Sequence, residues 1–203
     1  MIIKVCGMRD EDNIRQLEQL DIDWMGFIFY SESPRFVGPK LSYLPKKVKK
    51  IGVFVDQIPQ IISERVKHNH LELIQLHGSE PPWYCINLQE EGYKIIKSFG
   101  IDPDGFIPNA QLNAYEGKCD YFLFDTKTKL HGGSGKKFNW ERLADYDGDT
   151  PFILSGGISP EDAEEIKSFK HPKFAGIDIN SRFEIEPAYK DIEMIKSFIK
   201  QIR

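Results

Sequence analysis

Residues 2–9 read Ile2-Ile3-Lys4-Val5-Cys6-Gly7-Met8-Arg9. A short apolar run reaches a cysteine and stops at a glycine, the pattern of a buried strand closed by a turn. In an α/β barrel the reactive groups sit at the carboxyl ends of the strands. A thiol as the last side chain of an opening strand is therefore a candidate for chemistry. Taken alone it is weak evidence, because an inert buried cysteine is the commoner meaning.

Outward from that stretch, apolar runs of strand length alternate with amphipathic runs of helix length. Strands are expected at residues 2–6, 24–30, 50–56, 71–77, 93–98, 119–125, 152–155 and 174–179. Helices are expected at 10–20, with Asp10 as N-cap, and at 58–68, 81–91, 109–116, 139–146, 159–169 and 191–202. Lys40–Lys47, interrupted by Pro45, is too short and broken for a full helix. Eight strands in strict alternation with crossovers predict one closed parallel sheet: α/β, a single (β/α)8 TIM barrel forming one domain over residues 1–203. A doubly wound open sheet is the competing arrangement. It usually carries a glycine fingerprint after the first strand, and Cys6-Gly7-Met8-Arg9 is not one.

The chain's net charge of −4 argues against a general nucleic-acid binder. No apolar run approaches the roughly 18 residues that span a bilayer, and no signal peptide precedes the first strand. Cys6, Cys85 and Cys119 are odd in number and not closely paired, which suits reduced thiols in the cytoplasm. No spacing resembles a zinc site, so no metal is expected.

The expected strand ends gather polar residues while the strand bodies stay apolar. In order they carry Cys6, a loop with Arg35, Asp56, His77, Ser98, Asp125, Ser155-Gly156-Gly157, and Asp178 followed by Ser181. Asp125 is a turn residue or a catalytic carboxyl. His77 is a ligand, an acid/base group or a hydrogen-bonding wall. Gly156-Gly157 and Asn180-Ser181 stand where barrels seat a phosphate, or make ordinary turns. Arg35 has the geometry to grip a carboxylate with two parallel bonds. The glycine-rich loop Gly132–Lys137 reads as a lid. In a closed barrel the first and sixth strands are separated by only two others, so a small sugar between Cys6 and Asp125 would be touched from both sides.

Together these pieces resemble the phosphoribosylanthranilate isomerase family of tryptophan biosynthesis. The resemblance runs through Lys4-Val5-Cys6-Gly7-Met8-Arg9, Gly26-Phe27-Ile28-Phe29 with Ser33-Pro34-Arg35, and Gly52-Val53-Phe54-Val55. It continues through Gln75-Leu76-His77-Gly78, Asp125 with Gly132-Gly133-Ser134-Gly135, Leu154-Ser155-Gly156-Gly157-Ile158-Ser159-Pro160, and Gly176-Ile177-Asp178. It implies a cofactor-free barrel, monomeric or dimeric, that carries out an Amadori rearrangement of a phosphorylated aminosugar. It further implies Cys6 as general base, Asp125 as general acid and Arg35 as partner of the anthranilate carboxylate. Where the family often reads Ser-Ser-Gly-Val-Glu, this chain has Asn180-Ser181-Arg182-Phe183-Glu184, keeping the serine in place and replacing the glycine with Arg182.

The chemistry sets a difficulty. At neutral pH an ordinary thiol is only about 3% ionised and an ordinary aspartate roughly 0.1% protonated, so independent groups would reach the active forms together at a cost of about 6 kcal/mol. The site must therefore bury the aspartate and supply positive charge to the thiolate. Arg35 is the cation expected to help, and the substrate's phosphate opposes it. Two other readings remain. A metal-dependent pentose-phosphate epimerase would want more histidines at strand ends than His77. A non-catalytic barrel binding a phosphorylated ligand would have no use for Cys6 and Asp125.

Overall fold

The computed structural model describes residues 1–127 and 137–203, which leaves the expected lid motif Gly132-Gly133-Ser134-Gly135 outside the described residues. Eight parallel strands close into a barrel in sequence order: β1 Ile2–Cys6, β2 Trp24–Ile28, β3 Lys49–Phe54, β4 Leu73–Leu76, β5 Lys94–Ile101, β6 Tyr121–Thr126, β7 Phe152–Leu154 and β8 Phe174–Ile179. The seam is the β1–β8 pair, in which Ile2 is in register with Gly176 and Lys4 with Asp178. The helices on the outside are α1 Glu11–Leu17, α2 Pro59–Asn69, α3 Pro82–Glu90, α4 Asn109–Asn113, α5 Ala163–Ser168 and α6 Ile192–Ile202. Among the described residues, no helix is long and apolar enough to cross a membrane.

Strand alternation splits the apolar residues into two bodies. Trp24, Ile51, Leu73, Ile96, Leu123 and Ile153 fill the barrel interior. Their neighbours one residue away, such as Met25, Ile74, Ile95, Phe122 and Phe124, join the layer between sheet and helices. Because side chains alternate every residue, the interior set fixes which end residues point inward: Cys6 follows Lys4 on β1, and Asp125 follows Leu123 on β6. A parallel strand buried on both faces reads as a continuous apolar run, which is why these strands are legible in the sequence.

Element ends depart from expectation in several places. β2 stops at Ile28 and β5 runs on to Ile101. No helix follows β2, and the chain between β2 and β3 is loop. The helix expected at 139–146 is a 3-10 turn, Trp140–Asp145. The one expected at 159–169 opens as a 3-10 turn, Pro160–Asp162, before α5. The Asp10 cap is where the sequence puts it, and Asp191 caps α6 in the same way. The Asp10 carboxylate accepts from Asn13 N–H at 2.9 Å, and the Asp191 carboxylate accepts from Met194 N–H at 2.9 Å. A hairpin after β8, β9 Glu184–Glu186 with β10 Tyr189–Lys190, has no sequence signature, because strands of two and three residues are too short to show a period.

Candidate active site

The carboxyl end of the barrel gathers a buried charged cluster around Cys6. Cys6 is 4% exposed. Two residues earlier on the same inward face lies Lys4, fully buried, whose ammonium donates to Asp178 Oδ2 at 2.7 Å and also faces the Cys6 sulfur. Burial pushes the Cys6 thiol up. Lys4 and then Lys190 pull it back, while the Asp178 carboxylate works with burial. The Asp178 carboxyl is itself raised by burial, against the pull of Lys4.

Behind Cys6 the hairpin adds a second layer. Lys190 donates to Glu184 Oε1 at 2.6 Å and to Asn180 Oδ1 at 2.7 Å. Burial pulls its ammonium down to about 8 against the attraction of Glu184. Arg35 meets the same Glu184 with two nitrogens, Nε to Oε1 at 2.8 Å and Nη2 to Oε2 at 2.6 Å. Burial disfavours the charged Glu184, yet Arg35 and Lys190 overcome it and hold the carboxyl low. Gly7 is what lets this layer close up. It has φ +79°, and a Cβ there would lie 2.6 Å from Arg35 Cδ and 2.9 Å from Asn180 Oδ1.

Across the mouth, Asp125 ends β6. Its carboxyl is pushed up to about 7, first by burial and then by the Asp178 carboxylate, with the Thr126 N–H and Lys4 opposing. Asp178 thus stands in the field of both Cys6 and Asp125. His77, just beyond β4, puts Nε2 at 3.6 Å from Asp125 Oδ2. Gln75 Nε2 donates to His77 Nδ1 at 2.9 Å, an arrangement in which Nε2 carries the imidazole hydrogen toward Asp125. Gly156, with φ +86°, lies so close that a Cβ on it would be 2.9 Å from Asp125 Oδ1. Gly157 and Arg182 line a cavity of about 530 Å³ with Lys137 and Ser159, and Ser181 opens a 3-10 turn beside it.

A sulfur with ammonium groups beside it faces, around a shared carboxylate, a carboxyl poised to hold its proton. With this geometry in place, comparison with known proteins is decisive. The family model for N-(5'phosphoribosyl)anthranilate (PRA) isomerase matches residues 3–201. The chain belongs to the PRA isomerase family. A PRA isomerase of Parabacteroides distasonis is 49% identical over 213 residues, covering all of this chain and 93% of that protein. The crystal structure of the isomerase from Thermotoga maritima superposes with a TM-score of 0.82 at 29% identity, covering 100% and 98% of the two chains. A further PRA isomerase, solved in complex with reduced 1-(O-carboxyphenylamino)-1-deoxyribulose 5-phosphate, superposes at 0.78 with 26% identity, covering 100% and 98%.

The PRA isomerase barrel of this chain places Cys6, Arg35, His77, Asp125, Gly156, Gly157, Asp178 and Ser181 at one end. Cys6, Arg35 and Asp178 share one buried cluster, Asp125 adjoins His77 and Gly156, and Gly157 and Ser181 lie on the β7–β8 side. Sequence reading passed over Lys4, Gln75, Glu184 and Lys190. Lys4 had a usable signal, since a lysine inside an apolar buried strand, two residues before a candidate thiol, implies a buried partner. Glu184 stands in the family pattern after β8, but nothing local gives its partners, and Lys190 had no signal, because the hairpin brings both in.

Proposed function

We propose that Cys6 is the general base and Asp125 the general acid in the Amadori rearrangement of N-(5'-phosphoribosyl)anthranilate to carboxyphenylamino-deoxyribulose 5-phosphate, the isomerisation that family membership assigns to this chain in tryptophan biosynthesis. Asp125 protonates the ring oxygen so that the furanose opens. The Cys6 thiolate then takes the proton from the neighbouring carbon. The observation that carries this reading is the Asp125 carboxyl raised to about 7 by burial. At neutral pH about half of it holds a proton, which removes the carboxyl's share of the cost that ordinary residues would impose and leaves the thiol's share, which burial of Cys6 raises.

Arg35 serves the anthranilate carboxylate in this reading. Glu184 already takes its Nε–Nη2 edge, so the substrate meets the Nη1 side. Asp178 and His77 serve the sugar, and Gly156, Gly157 and Ser181 serve the phosphate through their backbone and hydroxyl groups. The rearrangement is redox-neutral within one substrate and calls for no cofactor. We infer a monomer acting in the cytoplasm, with a homodimer as the alternative state. An epimerase mechanism is disfavoured by the family.

The test is turnover of freshly made phosphoribosylanthranilate, followed by its fluorescence. Cys6→Ser and Asp125→Asn are each expected to remove most of kcat in a folded protein. Near-normal kcat in either variant would refute that residue's role, and tight binding without product in the native chain would mark a non-catalytic binder.

A further inference from the structure

The buried cluster at the mouth is unbalanced in charge. Lys4, Arg35 and Lys190 supply three cations, and Asp178 and Glu184 supply two carboxylates. One more negative charge neutralises it, and the two groups able to supply that charge are Cys6 and Asp125. A cluster with one surplus cation favours one ionised group among the two and disfavours both or neither. The reactive pair, thiolate with carboxylic acid, and the idle pair, thiol with carboxylate, hold the same number of protons. What decides between them is a charge that acts on one member more than the other.

Lys4 acts on both, since its ammonium opposes the burial of Cys6 and of Asp125 alike. Lys190 is placed differently. Its ammonium lies 2.7 Å from Asn180 Oδ1, and that oxygen is packed against Gly7, the residue next to Cys6. Asp125 lies on the other side of the mouth, against Gly156 and His77. We propose that Lys190 is a positioning residue that sets the negative charge on Cys6 rather than on Asp125, and so selects the reactive member of the pair. The groups bearing on the sulfur are Lys4 from β1, Arg35 from the loop after β2, Asp178 from β8, and Lys190 from β10 with its partner Glu184 from β9. The inference rests on the assignment of Cys6 as base, but its primary readout does not.

The experiment measures thiolate absorbance in the far ultraviolet as a function of pH, taking the native chain minus Cys6→Ser to isolate Cys6. Lys190→Met is expected to raise the Cys6 midpoint by about one pH unit or more, a tenfold loss of thiolate at fixed pH. The alkaline limb of kcat/KM moves with it: kcat/KM falls about tenfold through neutral pH, where the idle pair dominates, and the loss narrows above the Cys6 midpoint. Lys190→Arg, which keeps the charge, restores both. An unmoved absorbance midpoint, or a loss of kcat/KM that persists undiminished above the Cys6 midpoint, overturns the proposal. Should Lys190→Met not fold, Lys190→Gln, which removes the charge and keeps an N–H donor toward Asn180 and Glu184, is read by the same absorbance midpoint with the same two outcomes. Undiminished turnover in Cys6→Ser would instead remove the base assignment and leave the absorbance result standing.

Discussion

Lys4 and Asp178 are register partners across the barrel seam and are joined by an ion pair of 2.7 Å, with side chains 0% and 6% exposed. One contact thereby links closure of the sheet to the charge around Cys6. Desolvating two ions offsets most of what their attraction gains, so the pair itself adds little to stability, but leaving one partner alone is expensive.

The expected outcome is asymmetric. Lys4→Met and Asp178→Leu should each cost about 3–5 kcal/mol in urea unfolding, because each strands a buried charge. The double variant should recover most of that loss and remain inactive. A double variant less stable than either single one would refute the argument.

Asp125 predicts a pH window. Its ordinary value is 3.8 and its folded value is about 7, so between those limits the folded chain holds a proton that the unfolded chain has released. Stability from this group is full below about pH 4, falls as pH rises through about 7, and is level above it. Asp125→Asn should therefore be as stable as the native chain near pH 4 and more stable near pH 8, by up to about 4 kcal/mol. Thermal melts at the two pH values check this, and equal stability at both contradicts the raised value.

The barrel was legible because each strand carries its own period and its own end signal. The run Phe122, Leu123, Phe124 into Asp125 states burial on both faces and then a polar mouth residue, with no reference to the rest of the chain. Arg35 was legible as a residue and not as an environment. Its partner Glu184 is 149 residues away in sequence and arrives on a hairpin too short to announce itself. The cations beside the thiol were misjudged for the same reason. Arg35 was expected to help the thiolate, whereas Lys4 and Lys190 are the cations that most oppose the burial of Cys6.

A second buried pair holds the turn that carries His77. Lys97 donates to Glu80 Oε2 at 2.9 Å and to the Gly78 carbonyl at 2.7 Å. Glu80 in turn accepts from the N–H groups of Asp56 at 2.8 Å and Gly78 at 3.0 Å. Lys97→Met leaves Glu80 unpaired beneath that turn and should cost about 3–5 kcal/mol. Amide exchange at Gly78 should quicken more than at Ile3 on the opposite side of the barrel. Uniform quickening would mean the pair has no local role.

Gly26 sets how much room the sulfur has. It is in register with Cys6 on the neighbouring strand, and a Cβ on it would sit 2.6 Å from Cys6 Sγ and 3.1 Å from Cys6 Cα. Real Cβ atoms do not approach so closely, so Gly26→Ala must displace the thiol or the strand. Overpacking of this kind costs about 1–3 kcal/mol, which a folded barrel survives. Misplacing a reacting group by about 1 Å costs on the order of 100-fold in rate. The expected result is a folded variant with kcat lowered roughly 100-fold and near-native substrate affinity, because Arg35 and the β7–β8 loops are untouched. Native kcat in Gly26→Ala would mean that the position of the sulfur does not govern the reaction.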